Sequence, residues 1–350
     1  MPSEGTIMRK LLNTLHVTTQ GAYLHRDGET ISVRVGNEVK LRLPIHTVES
    51  VVCYGAVTCS SFVLGLCCEH GVGVSMLTEQ GRFMARVSGP VSGNVLLRRQ
   101  QYRIADDPTC SLPIVAAMVT AKIANSRLVL LRGARESSFE ARQTLLRAKA
   151  NHLSQMGLAA ARSSSIDEAR GYEGLAAQDY FSVFNELIPA DSDAFRFGGR
   201  TRRPPRDRVN AMLSFVYALL RQDIVSALES VGLDPAVGFL HTDRPGRPSL
   251  ALDLMEELRP HLGDRLVLTL INRKQVAANG FTHEDGGGTA MSDETRREVI
   301  TRWQRRKQEE IEHPFLGEAI PIGLIPYVQA LLLARHIRGG LAEYPPFFWR

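Results

Sequence analysis

The sequence predicts an α+β protein, an N-terminal β-rich lobe followed by a larger all-α lobe, and three observations predict it. Its 350 residues exceed what a single core usually organises, so two lobes are expected. Apolar residues first alternate with a period near two and later fall at helical spacing. Hydrophobic residues make up 44% and charged residues 23%, which excludes a disordered or fibrous chain.

Residues 11 to about 98 read as short strands between turns. Val17, Leu24, Ile31, Val33 and Val35 recur at alternate or near-alternate positions, with turn signals at Arg26-Asp27-Gly28 and Gly36-Asn37. Phe62 to Leu66 fits a short helix in this lobe, and Gly71, Gly73 and Gly81 punctuate the strands that follow. Asp106-Asp107-Pro108 is the expected boundary, since a residue before proline avoids helical geometry and aspartates favour turns. This gives a β-rich domain over 1–107, a helical domain over 108–339 and a tail over 340–350.

From Leu112 the segment LPIVAAMVTAKIANSRLVLLR opens a helical pattern that runs to about Gly339. Two stretches interrupt it. FRFGGRTRRPPRDR holds six arginines between Arg196 and Arg208, and its glycines and prolines forbid a helix, so a cationic loop suited to phosphate is expected. FTHEDGGGTAMSD, residues 281–293, reads as a mobile glycine-rich loop. The closing EYPPFFW cannot be helical through its proline pair and either frays or docks on a surface.

A net charge of +5 and a pI near 9.0 are compatible with an anionic partner but identify none. No P-loop, GxGxxG fingerprint or GxSxG elbow is present, which argues against nucleotide hydrolases, dinucleotide enzymes and the common serine hydrolases. Cys53, Cys59, Cys67, Cys68 and Cys110 form no CxxC pair and read as reduced core thiols. No run approaches the roughly 20 apolar residues of a membrane span, and the start MPSEGTIMRKLLNTLHV lacks a signal peptide's apolar stretch, so a cytoplasmic protein with no membrane partner is expected.

The densest chemistry lies in HTDRPGRPSLALDLMEELRP, residues 241–260, where His241 precedes a turn, Ser249 offers an N-cap and an acidic helix follows. On that helix Ala251, Leu254, Met255 and Leu258 form an apolar stripe, and Asp253, Glu256 and Glu257 share the narrow remaining face. Such carboxylates face a solvated rim or a polar pocket, where acids three apart converge on one divalent cation beside a histidine. Glu173 in DEARGYEGLAAQDYFSVF is flanked by Gly171, Gly174, Ala176 and Ala177, which let a helix start pack closely or leave room for a ligand. INRKQ, Ile271 to Gln275, ends a helix with two cations, and Lys122, Asn125 and Arg127 could extend a phosphate-binding surface. The remaining histidines, His283 among them, have no partner at metal-ligand spacing.

Most of the chain resembles the CRISPR-associated integrase family, the first of the two shared adaptation proteins. The motifs are VVCYGAVTCSSFVLGLCCEHGVGVSML, GRFMARVSGPVSGNVLLRRQQY, GYEG, FVYALL, GFLHTDRPGRPSLALDLMEELRP and LINRKQ; the closing YPPFFW and the RPGRPSL spacing resemble the subtype I-C branch. The resemblance implies a prokaryotic, metal-dependent endonuclease and integrase that joins the 3′-OH ends of a spacer fragment to the repeat by transesterification. The alternative is a metal nuclease of branched or single-stranded DNA. It implies Glu173, His241 and Glu256 as ligands of Mg²⁺ or Mn²⁺, with Asp253 a further catalytic carboxylate and Glu257 the competing choice by helical geometry. Its implied partners are double-stranded DNA, a second copy through the β-rich lobe, and the small second adaptation protein, two integrase dimers clamping one partner dimer. Arg200, Arg202, Arg203, Arg206, Arg273 and Lys274 then become expected phosphate contacts, and Tyr344 to Trp349 an expected partner-docking element.

Overall fold

The alternation near the start of the chain becomes β1 (Thr14–Val17), β2 (Ala22–Asp27), β3 (Thr30–Val35), β4 (Glu38–Pro44), β5 (Ser50–Tyr54) and β6 (Thr58–Cys59). Helix α1 (Ser61–Glu69), the short helix expected around Phe62, then leads to β7 (Gly73–Leu77) and β8 (Phe83–Val87). The computed structural model describes residues 14–349 apart from 49, 79–82, 88, 90–94, 190 and 285, so the chain's start, Gly81 and Arg350 lie outside the described residues. Among the described residues two four-stranded sheets result, ordered β1-β5-β7-β8 and β4-β3-β2-β6. Gly28 and Gly36 take positive φ of 61° and 60° in the hairpin turns on either side of β3, a conformation that costs glycine no Cβ clash.

Strand β5 explains how the lobes join. It lies parallel between β1 and β7 and is buried on both faces. Val51 and Cys53 enter the small core of the β-rich lobe with Leu24, Ile31 and Leu66. Val52 and Tyr54, pointing the other way, enter the large helical core.

The helical region runs through α2 (Val95–Asp106), α3 (Pro108–Glu136), α4 (Glu140–Ala160), α5 (Ile166–Ser182), α6 (Arg208–Ser230) and α7 (Ser249–Leu258). A π-helical turn (Arg259–Asp264) continues α7 into α8 (Arg265–Asn272). The order then is β9 (Phe281–His283), β10 (Thr289–Met291), α9 (Asp293–Gln308), β11 (Glu310–Glu312), β12 (Ala319–Pro321) and α10 (Ile325–Ile337). The two small antiparallel ribbons, β9 with β10 and β11 with β12, are features the helical spacing did not announce, because three-residue strands are too short to show a period. Asp107-Pro108 separates two helices: Asp107 caps α3 by accepting from Thr109 N at 2.9 Å, and α2 before it already buries Leu97 in the helical core.

Three expectations change. Helices α3 and α6 are long and apolar enough to cross a membrane, with mean hydropathy 1.6 and 1.3. In those stretches 61% and 67% of residues are buried inside the protein, and central core helices share the composition of membrane spans. Cys110 is exposed on the first turn of α3, unlike buried Cys53 and Cys67. Of the tail's two alternatives fraying falls away: Tyr344 and Phe347 are buried against their own chain, while Phe348 stays exposed.

Candidate active site

The loop before α7 is built around one carboxylate. Asp253 Oδ2 accepts from the backbone N–H of Phe239 at 2.6 Å and Leu240 at 3.0 Å, and Oδ1 accepts from His241 N at 2.9 Å. His241 Nδ1 lies 2.6 Å from the same Oδ1. An acceptor-only carboxylate places the proton of the neutral ring on Nδ1, which leaves the lone pair on Nε2. This close wrap requires Gly238, because a Cβ there would stand 2.7 Å from Asp253 Oδ2 and 2.8 Å from the Ser249 carbonyl carbon. Gln101 of α2 holds the preceding turn through Asp234 O and Val237 O, each at 2.8 Å. Ser249 is not the N-cap: Pro248 takes that position, and Ser249 Oγ donates to Thr242 O.

The three acids of α7 are all buried and serve three different neighbours. Asp253 faces the His241 loop. Glu257, the competing ligand by helical geometry, faces the tail instead: Oε1 accepts from Tyr344 OH and from Gln329 Nε2 at 3.1 Å, and Oε2 from Phe347 N at 2.8 Å. Glu256 alone turns toward Glu173, with Oε1 2.8 Å from Arg259 Nη1 and 4.0 Å from His241 Nε2. Burial works to raise the Glu256 carboxyl, but Arg259 and Lys122 outweigh it and hold it at about 2, so it is ionised at neutral pH.

Glu173 lies in the middle of α5, not at a helix start. That helix begins at Ile166, where Ser165 accepts from Glu168 N and the Glu168 carboxylate returns to Ser164 N. A Cβ added at Gly171 or Gly174 would meet nothing within 4 Å, so the small residues open the helix face beside Glu173 instead of packing it. One turn before Glu173, Arg170 Nη2 donates to Leu240 O at 2.8 Å and ties α5 to the histidine loop.

Lys122 of α3 pairs with both Glu173 and Glu256, lying 2.5 Å from Glu256 Oε2. Sequence reasoning placed it on a phosphate surface; its position on an apolar core helix was the available signal that its ammonium needs a buried partner. Arg259 and Arg170 were missed altogether. Asn125 is no surface residue: it donates to Glu257 O and Phe347 O.

The expected phosphate contacts divide. Arg202, Arg203 and Arg206 are exposed. Arg200 turns inward, donating to Asn210 Oδ1 at 2.8 Å, with its guanidinium 5.3 Å from the Tyr217 ring centre. Arg259 lies 5.3 Å from the same ring, so the base of the arginine loop adjoins the cation that serves Glu256. Arg273 and Lys274 are exposed at the end of α8, and Lys274 pairs with Asp191 at 2.8 Å; among the described residues no hydrogen bond or ion pair joins either to the acidic site.

Two carboxylates and an imidazole that turns its Nε2 toward them are donors that Mg²⁺ and Mn²⁺ accept. Glu256 Oε2 is buried without a well-aligned hydrogen bond, which fits a ligand atom. Among the described residues no three such side chains stand close enough to hold an ion as they are placed; Glu173 and Glu256 gather around the Lys122 ammonium instead.

The chain is similar to known proteins over most of its length. The family model described as "CRISPR associated protein Cas1" matches residues 15–305. A relative named CRISPR-associated endonuclease Cas1 1, from Chlorobaculum tepidum, is 52% identical over 98% of this chain and 100% of its own. Another, CRISPR-associated endonuclease Cas1 2 from Rhodospirillum rubrum, is 51% identical over 98% and 100%. In fold, the chain is similar to one in a solved Cas6-RT-Cas1–Cas2 complex, with TM-score 0.82, 23% identity, and coverage of 96% of this chain and 36% of that one.

Proposed function

The chain belongs to the Cas1 family of CRISPR-associated endonucleases, and from that premise we propose that it is a divalent-metal-dependent integrase, joining spacer 3′-OH ends to the CRISPR repeat by transesterification. The observation that carries this reading is the convergence of Glu173 and Glu256 on one cation, beside the free Nε2 of His241.

Glu173, Glu256 and His241 Nε2 would hold Mg²⁺ or Mn²⁺. When bound, the ion neutralises charge that develops on a phosphodiester during in-line displacement. The chain's own groups prepare that step. Asp253 fixes the His241 ring and its tautomer, Arg259 keeps Glu256 ionised, and the bare face of α5 leaves space for DNA beside Glu173. In joining, the fragment's 3′-oxygen forms a bond to phosphorus and loses its proton, while the repeat's 3′-oxygen leaves and gains one. The number of phosphodiester bonds is unchanged, so no nucleotide hydrolysis is required. With water as nucleophile the same site is the endonuclease for which its relatives are named.

The proposed partners are duplex DNA, a second copy, and the small second adaptation protein, which is named Cas2 in the solved complex; the proposed assembly is two integrase dimers on one partner dimer. Phe62, Met84 and Leu41 are large apolar side chains left exposed on the β-rich lobe, which supports dimerisation there. Arg202, Arg203 and Arg206 would hold phosphates without reading sequence.

The test is a joining assay with the small partner, a short duplex bearing free 3′ ends, a supercoiled plasmid containing a repeat, and Mn²⁺ or Mg²⁺. Joined product is expected from the native chain and none from Glu173→Ala or His241→Ala, both still binding duplex within a few fold. Cleavage without joining favours the nuclease, and full activity in either variant overturns the ligand assignment.

A further inference from the structure

Lys122 occupies a place that the proposed chemistry does not use. It lies in the interior of α3, between buried Ala121 and buried Ile123, on a helix whose inner face is part of the main core. A lysine on such a helix usually extends its stem so that the ammonium reaches water. Here the ammonium turns inward, its side chain only 12% exposed, and pairs with Glu173 Oε1 and Glu256 Oε2 together. One ammonium therefore reaches an oxygen of each of the two carboxylates proposed as ligands. Arg259 takes the other oxygen of Glu256 and competes for neither.

We propose that Lys122 is a resident cation: it holds Glu173 and Glu256 together in the metal-free protein, and a divalent ion binds by displacing its ammonium. The inference rests on the metal reading above and adds to it. Two carboxylates brought this close, one of them buried, repel each other strongly in a site of low polarity, and a single ammonium offsets that repulsion. An ammonium and a dication cannot share the same two oxygens. Lysine suits the exchange because its charge is compact and sits on a flexible four-carbon stem. The chain would thereby keep its carboxylates arranged without metal and hold divalent ions less tightly than the carboxylates alone would.

The experiment is calorimetric titration of Mn²⁺ into the full chain without DNA, comparing the native protein with Lys122→Met and Lys122→Gln. Loss of the competing charge should tighten Mn²⁺ binding by roughly tenfold or more. It should also lower the melting temperature of the metal-free variants, with Mn²⁺ restoring more stability to them than to the native chain. Equal or weaker binding by both variants, while the native chain binds and His241→Ala does not, overturns the inference and leaves the metal reading standing. Absence of binding in every protein overturns both. Should the variants fail to fold, acylation of the native chain read by mass spectrometry decides: Lys122 should label faster in saturating Mn²⁺, and unchanged or slower labelling sinks the idea.

Discussion

Asp253 controls the site without facing it. Its carboxylate collects three backbone N–H groups and the His241 Nδ1 proton, so one side chain shapes the loop and sets the tautomer. Asp253→Asn keeps the volume but turns an amide N–H₂ toward donors, stranding at least one of them. The expected result is a loss of about 10- to 100-fold in Mn²⁺ affinity, with stability falling by about 1–3 kcal/mol. Calorimetry and a melting curve check this, and an unchanged affinity would remove Asp253 from its supporting role. Asp264 makes stability depend on pH. Burial raises its carboxyl to about 6 against the pull of Tyr217, Arg200 and Arg259. A raised folded value means the neutral form is favoured by folding, so its stabilisation is full below the ordinary carboxyl range and is lost as pH rises through about 6. Between pH 5 and pH 7 the native chain should therefore lose about 1 kcal/mol relative to Asp264→Asn. Parallel denaturation curves at the two pH values would contradict it.

At the scale of elements, the tail, α3 and α7 form one unit. Phe347 is fully buried, its N–H reaches Glu257 of α7 and its carbonyl accepts from Asn125 of α3, while Trp349 N donates back to Asn125 Oδ1 at 2.8 Å. Asn125 and Lys122 lie one turn apart on α3, and Glu256 and Glu257 are neighbours on α7, so the tail braces the two helices that carry the site's cation and its buried acid. Phe347→Ala should cost about 3–5 kcal/mol, read by chemical denaturation; a loss under about 1 kcal/mol would mean the tail is merely laid on the surface. The same unit shows what the sequence could and could not reveal. The acidic face of α7 was legible because three acids interrupted an apolar stripe. Which acid faced the site was not, because 253, 256 and 257 lie on one helical face and differ only in tertiary neighbours, one of them supplied by residues about 90 positions away. The strands and long helices were legible by period, whereas the ribbons β9–β10 and β11–β12 were too short for a period to exist. That Lys122 needs a buried partner was legible from its apolar helix, but not which one, since its carboxylates come from α5 and α7.

At the scale of the molecule, the surplus of +5 is less informative than where the arginines point. The arginine loop is fixed at both ends: Arg200 bonds inward to Asn210 and stacks on Tyr217, and Pro205 O accepts from Thr289 N of β10 at 2.7 Å. What the loop presents outward is Arg196, Arg202, Arg203 and Arg206. Its inward base and Arg259 share the Tyr217 ring, so a duplex held by the outward arginines would run beside Glu256. Each phosphate contact releases counterions, which makes affinity fall with salt in proportion to the number of contacts. Neutralising Arg202 and Arg203 together should therefore reduce the slope of log affinity against log salt by about 2, uniformly across DNA sequences. Arg200→Gln should behave differently, lowering stability through the lost Asn210 and Tyr217 contacts while leaving the slope nearly unchanged. Fluorescence anisotropy over a salt series separates the two: a slope unmoved by the double variant would return the loop to ordinary solvated surface, and a slope changed by Arg200→Gln alone would move the DNA path to the loop's base.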